Sequence, residues 1–228
     1  RRNGVKGVDI HVVELIRGKG NTHLMASDRK NTTIRKSEII LAVQNLIYRE
    51  GSEQVTVRNI AREVQISEAA VYRHFKSKRE IFCYLVRCIQ DTLLADLAGE
   101  MSDGTSWTEY MATALNRHLA AIQSRHGMAY LVLAEILSLG DKELYRETRV
   151  CLEQYIERFK QLLTAGIQRG EVRANLDLDA TARILFGTIQ GAVSLWALDH
   201  HTFDLPASYA AVWQELQKNI CLPIATAR

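Results

Sequence analysis

From Thr56 to Lys78 the chain gathers hydroxyls, an imidazole and cations at spacings that suit a polyanion. Thr56 and Ser67 each stand directly before a short helical stretch, where a side-chain oxygen caps the first turn and free backbone N–H groups favour an anion. Arg58 lies in the first of these stretches. Glu68, Ala69, Tyr72, Arg73 and His74 crowd the second, and Lys78 opens the helix that follows. Hydroxyl, guanidinium, ammonium and imidazole donors of this kind contact phosphate oxygens. Base edges are read by other chemistry. An arginine such as Arg73 donates to guanine, Glu68 accepts from cytosine N4, and a small Ala69 allows close approach and touches a thymine methyl. Each of these side chains alone would more often be plain surface, as Arg49, Arg62 and Arg79 are expected to be.

The elements that must hold these groups follow from apolar periodicity. A helix is expected from Thr32, because Ile39, Ala42, Val43, Leu46 and Ile47 form one stripe, and Gly51 ends it. Val57, Ile60, Ala61 and Val64 repeat the spacing in a short helix. Gln65 and Ile66 break it, and Ser67 starts another whose inward residues are Val71 and Phe75. Ser77 and Lys78 open a long helix with Phe82, Leu85, Val86, Ile89, Leu93 and Leu97 on one side. Three helices within about 45 residues, the last two short and tightly joined, form a helix-turn-helix arrangement that presents its final helix to a major groove.

The rest of the chain reads as helices between polar breaks. They run from about Trp107 to Arg125, Met128 to Leu139, Asp141 to Arg169 and Asp179 to Asp199, with a last one carrying Pro206 in its first turn and ending near Ile220. Two prolines and 13 glycines in 228 residues are too few for a sandwich or barrel, so the fold class is all-α. The domains expected are an arm over 1–31, a helix-turn-helix domain over 32–78 and a helical ligand-binding and dimerisation domain over 79–228. Within the arm, the first 24 residues are either native chain or an addition ahead of a start at Met25.

Charge divides along the same line. Residues 29–80 carry 11 basic and 6 acidic groups, whereas residues 81–228 carry 13 and 17. A basic head on an acidic body fits polyanion binding. The four cysteines form no C-x-x-C, as expected of reduced thiols in the cytoplasm. No apolar run reaches the roughly 18 residues of a membrane helix, so no membrane partner is expected. Nucleophile-elbow, phosphate-loop, dinucleotide and H-E-x-x-H signatures are missing from the sequence, which argues against an enzyme and against a cofactor. His118, His126, His200 and His201 lack metal-site spacing and accompanying carboxylates, so no metal is expected.

In the body, Trp107, Met111, Leu115, His118, Leu131, Glu135, Tyr155 and Phe159 either line a cavity for an unidentified small hydrophobic effector or pack as ordinary core. Glu135, an acid inside MAYLVLAEILSL, is either solvent-facing or a polar anchor. Gly187 and Gly191 form a G-x-x-x-G that allows two helices to approach closely.

The segment IILAVQNLIYREGSEQVTVRNIAREVQISEAAVYRHFKSKREIF resembles the DNA-binding domain of the TetR (tetracycline-repressor-like) family of bacterial transcription regulators. The matching positions are Ile39, Ala42, Leu46, Gly51, Thr56, Ile60, Ala61, Ser67, Tyr72, His74, Phe75, Ser77 and Lys78. The resemblance implies that Thr56, Tyr72, His74 and Lys78 hold phosphates of double-stranded DNA and that residues near Ser67, Glu68, Ala69 and Arg73 read bases. AGIQRGEVRANLDLDATARILFGTIQGAVSLW is similar to the family's penultimate helices. By that likeness Thr188, Gly191 and Leu195, with Val212, Trp213 and Leu216, would form a homodimer interface. The implied function is a repressor bound to a palindromic operator and released by a small-molecule effector; the alternative is a DNA-binding dimer without such control, linked to chromosome organisation or division. Two departures stand out. Gln65 occupies a turn position usually given to glycine, which demands an unusual backbone, and Val64 replaces a small alanine beside it.

Overall fold

The computed structural model describes residues 26–99, 101–102 and 104–222, with side chains from residue 32 onward. Most of the expected arm therefore lies outside the described residues. Nine α-helices occur among those described: α1 (Ala26–Glu50), α2 (Val57–Val64), α3 (Glu68–His74), α4 (Lys78–Asp96), α5 (Trp107–Ser124), α6 (Met128–Ser138), α7 (Lys142–Gln168), α8 (Leu178–Leu198) and α9 (Leu205–Ile220). A single 3-10 turn, Ser52–Gln54, follows α1. The first helix begins at Ala26, not at Thr32, so part of the expected arm is helical. ASDRKN carries no apolar stripe, and periodicity cannot see it.

The chain forms two compact units that divide between Leu85 and Val86, within α4. The sequence expectation placed the domain boundary at Lys78. In the first unit Ile39, Val43, Val55, Ile60 and Val71 are completely buried, and Phe75 and Phe82 are nearly so. All of these but Val55, which lies between helices, are inward positions of the expected stripes.

In the second unit α5, α7, α8 and α9 each start at a short side chain that caps the unpaired N–H groups of the first turn, whereas α6 starts at Gly127 without one. Ser106 and Glu109 form a reciprocal capping box on α5. Asp141, Asp177 and Asp204 accept from first-turn N–H groups of α7, α8 and α9. The core is built around Trp107, which is fully buried. Its indole Nε1 donates to the Leu162 carbonyl at 2.7 Å, and its backbone N donates to Glu171 Oε2 at 2.6 Å. The ring lies on the bare backbone of Gly166. A Cβ added there would stand 2.4 Å from Val172 Cγ2 and 2.8 Å from Trp107 Cε2. Val172 in turn pairs with Cys221 in an isolated antiparallel bridge that ties down the end of α9.

A polar chain crosses this apolar interior. Arg125 pairs with the Asp96 carboxylate. Asp96 Oδ2 lies 3.5 Å from His118 Nδ1, and His118 Nε2 lies 2.5 Å from the Tyr155 hydroxyl. The Tyr130 hydroxyl is a further 3.5 Å away. His118 is fully buried, and burial holds its pKa below the usual 6.5; Asp96 opposes that shift, while Arg125 and Arg117 reinforce it. Burial likewise raises the pKa of both tyrosines.

Two outcomes follow from this packing. Gly166→Ala should lose about 1–3 kcal/mol in urea unfolding, because overpacking outweighs the gain in helix propensity of roughly 1 kcal/mol. A neutral or stabilising result would mean that Trp107 shifts freely. The second outcome concerns pH. The unfolded chain protonates His118 near pH 6.5, whereas the folded core resists it. The stability linked to this group is therefore complete above that pH and declines as pH falls below it. His118→Gln should flatten the decline between pH 7 and 5; an unchanged slope would assign the decline to other groups.

Candidate nucleic-acid interface and effector core

The turn between α2 and α3 is built by local chemistry. Gln65 is left-handed, with φ 58° and ψ 44°. Its N–H bonds to the Arg62 carbonyl and that of Ile66 to the Ala61 carbonyl, closing α2 in a Schellman arrangement. The departure from glycine is thus accommodated at a conformation that costs a side-chain-bearing residue some strain. Two residues later Ser67 Oγ accepts from Ala70 N at 3.2 Å and starts α3. Thr56 Oγ1 does the same for α2, accepting from Asn59 N at 3.1 Å. Each cap uses a lone pair of the hydroxyl and leaves its proton able to donate outward.

Thr56, Arg58, Ser67, Glu68, Ala69, Tyr72 and Arg73 are all exposed, and His74 and Lys78 are half-buried. Tyr72 is 51% exposed, so its ring is not part of the core; Val71 and Phe75 take that role on the opposite face of the segment. Lys78 Nζ lies 5.6 Å from the centre of the Phe82 ring, and burial lowers its pKa. His74 is held below the usual histidine range by burial first, then by Arg35, Arg73 and Lys36. Its Nδ1 is buried without a partner. A neutral imidazole amid three cations is set in a positive field that an approaching phosphate would reverse.

Arg35 and Lys36 are additions that periodicity did not single out. Lys36 Nζ sits 5.0 Å from the Phe75 ring and 5.3 Å from Tyr84, so it is anchored beside the end of α3. Only the charge excess of residues 29–80 pointed to them.

In the second unit, Trp107, Met111, Leu115, His118, Tyr155 and Phe159 are all buried, while Leu131 and Glu135 are half-buried. His118 and Tyr155 meet directly, and Tyr155 stacks edge-on against Phe159 with centroids 5.1 Å apart. These residues form packed core around the polar chain. A groove of about 570 Å³ lies elsewhere, between α5 and α9, and shares only Leu115 with the expected cavity set. Its walls include Ala112, Ala120, Ala207 and Ala210, small residues that no apolar pattern marks as a site.

Among the residues expected at a dimer interface, Leu195 is 64% exposed, Gly191 is exposed, and Thr188, Val212 and Leu216 are half-buried. Thr188 Oγ1 is held 2.8 Å from the Tyr209 hydroxyl. Trp213 is different. It is buried within its own subunit, its ring 6.0 Å from Trp107, and belongs to the core. A Cβ placed at Gly187 or Gly191 would meet nothing within 4 Å, so neither glycine is required by packing inside the subunit. Among the described residues, no group of three or more His, Cys, Asp and Glu is placed to hold a metal, and no helix is long and apolar enough to cross a membrane.

Comparison with known proteins agrees with this architecture. Residues 39–85 match the family described as bacterial regulatory proteins, tetR family, and residues 90–219 match the C-terminal region of YsiA-like proteins. The chain is 26% identical over 183 residues to a fatty acid metabolism regulator protein of Bacillus subtilis, covering 80% of this chain and 94% of that protein. It is 25% identical over 201 residues to the nucleoid occlusion factor SlmA of Vibrio campbellii, covering 86% and 100%. The structure of the transcriptional regulator FadR from Bacillus subtilis in complex with stearoyl-CoA superposes with a TM-score of 0.66 at 25% identity, covering 79% of this chain and 96% of that one. The fatty acid degradation regulator FadR of Bacillus halodurans shares the fold, with a TM-score of 0.70 at 22% identity over 85% and 97% of the two chains. Matches of this extent across both units establish that the chain belongs to the TetR family of DNA-binding bacterial transcription regulators.

Proposed function

We propose that the chain is a cytoplasmic repressor that binds a palindromic operator as a homodimer and is released by a long-chain acyl-CoA. The observation that carries the DNA reading is the exposed face of α3, held between the capped turn at Ser67 and the cationic cluster of Arg35, Lys36 and Arg73. Thr56, Tyr72, His74 and Lys78 serve phosphates in this reading, while Glu68, Ala69 and Arg73 face base edges. The exposed face of α8 supports the dimer. Ile184, Leu195 and Leu198 are 52, 64 and 77% exposed, with the two unfilled glycines between them. A second copy of that face would bury this surface across a two-fold axis.

The effector class comes from the FadR relative bound to stearoyl-CoA. The groove of about 570 Å³ between α5 and α9 offers room for part of an acyl tail. A ligand of this kind acts only through unequal affinity for two conformations of the protein. The second reading, a DNA-binding dimer without small-molecule control, is favoured by the likeness to SlmA.

Two measurements test the proposal on an operator recovered from fragmented genomic DNA. Lys78→Ala should weaken binding to every sequence about equally and reduce the salt slope by about 1. Arg73→Ala should instead relax sequence choice, at about 1–3 kcal/mol for the site. If neither substitution alters affinity at low salt, the face is misassigned. Stearoyl-CoA at micromolar concentration should release the wild-type protein from the operator. Full retention of DNA would favour the reading without effector control.

A further inference from the structure

Trp107 and Trp213 lie side by side in the second unit, their rings 6.0 Å apart, yet only one of the two indoles is satisfied. The Trp107 N–H is taken by the Leu162 carbonyl, whereas Trp213 Nε1 is buried with no partner. Trp213 is 4% exposed and lines the groove between α5 and α9. The other polar residues that line it have their needs met. Gln123 Oε1 accepts from Leu205 N at 2.7 Å, and Asp204 Oδ1 accepts from Ala207 N at 2.7 Å. Ser124 Oγ donates to the Ala121 carbonyl at 2.9 Å, and the Tyr209 hydroxyl meets Thr188 Oγ1 at 2.8 Å. Asn116 is exposed, so water serves its amide. The buried donor left over in this groove is the Trp213 N–H. A buried donor without an acceptor carries the full penalty of desolvation, and phenylalanine at position 213 would avoid it.

The walls restrict which acceptor can meet it. No lysine, arginine or histidine lines the groove, and the charge it carries is the Asp204 carboxylate. An anionic acceptor would be desolvated there without a counter-charge, whereas a neutral carbonyl oxygen would not. Exposed Ala112, Ala120, Ala207 and Ala210 leave space for an unbranched chain over the buried side chains of Leu115 and Leu119. We infer that this groove receives the thioester end of the acyl-CoA effector and that the Trp213 N–H donates to its carbonyl oxygen. This rests on the effector reading above and adds to it the place of the ligand and the group that is read. It also orders ligands by chemistry: a neutral acyl thioester fits the lining and a free fatty acid does not. The phosphates of the CoA moiety find no cation in the groove and stay in solvent.

The test titrates the full chain calorimetrically with stearoyl-CoA and with S-octadecyl-CoA, a thioether of the same chain that lacks the carbonyl. Wild type should bind the thioester about tenfold more tightly than the thioether, the factor that about 1.4 kcal/mol represents. Trp213→Phe should abolish that preference while binding the thioether as wild type does. Ala210→Phe fills the groove from an exposed position, and should weaken both compounds about tenfold or more without changing operator affinity. Equal binding of the two compounds to wild type would overturn the inference and leave the acyl-CoA reading intact. So would wild-type affinity for both in Ala210→Phe, which would place the chain elsewhere. An equal loss of both in Trp213→Phe would make the indole structural and overturn its role as the reader. If neither compound binds wild type, the effector reading falls and the inference with it. The wild-type ratio and Ala210→Phe decide the matter even if Trp213→Phe folds poorly.

Discussion

The seating of the Trp107 ring on the bare backbone at Gly166 is the contact from which the second unit is organised. One side chain there satisfies three demands. Its apolar surface fills the core beside Trp213, its indole N–H meets the Leu162 carbonyl, and its backbone N–H is taken by Glu171. The same close approach fixes Val172, and through the Val172–Cys221 bridge it fixes where α9 ends. Helices α5, α7 and α9 are thus registered against one another by a single wedge. Interiors packed to crystal-like density transmit such constraints because they have little slack.

Against that rigid background the polar chain from Arg125 to Tyr130 is costly. Buried polar groups are retained at the expense of stability unless each is matched, and an apolar replacement of similar shape is often neutral or better. The head shows the opposite economy. Its polar groups, His74 Nδ1 apart, lie at or near the surface, where water satisfies them until a phosphate replaces it, and its hydroxyls cap helices with one lone pair while retaining a donor.

How much of this the sequence discloses depends on the range of the interaction. Thr56, Ser67 and Gln65 are legible because caps and turns are set by residues within four positions. Val71 and Phe75 are legible because a short amphipathic helix has one inward face. His118 and Tyr155 belong together in the structure, but the bond between them, and the roles of Asp96, Arg125 and Tyr130, arise from four different helices and leave no local spacing. Trp213 shows a related limit. An apolar stripe on α9 announces burial without saying whether the covering surface belongs to the same subunit or to another. The helical start at Ala26 escaped because a polar first turn carries no period.

The end of α4 has a consequence of another kind. Arg117 donates to the Asp96 and Ala98 carbonyls, Arg158 to that of Leu97, and Tyr110 to that of Gly99. These side chains grip the peptide backbone, not the side chains of the residues they hold. Ala98 is consequently free to drift in evolution, since any residue offers the same oxygen, whereas Gly99, at φ +152° and with Arg117 Nη2 3.3 Å from where a Cβ would stand, is not. The gripping residues have no such liberty, nor has the length of the segment, because one inserted residue would present every carbonyl to the wrong donor. A family comparison of this stretch should read as constant spacing with variable letters, opposite fixed arginines more than ten residues away.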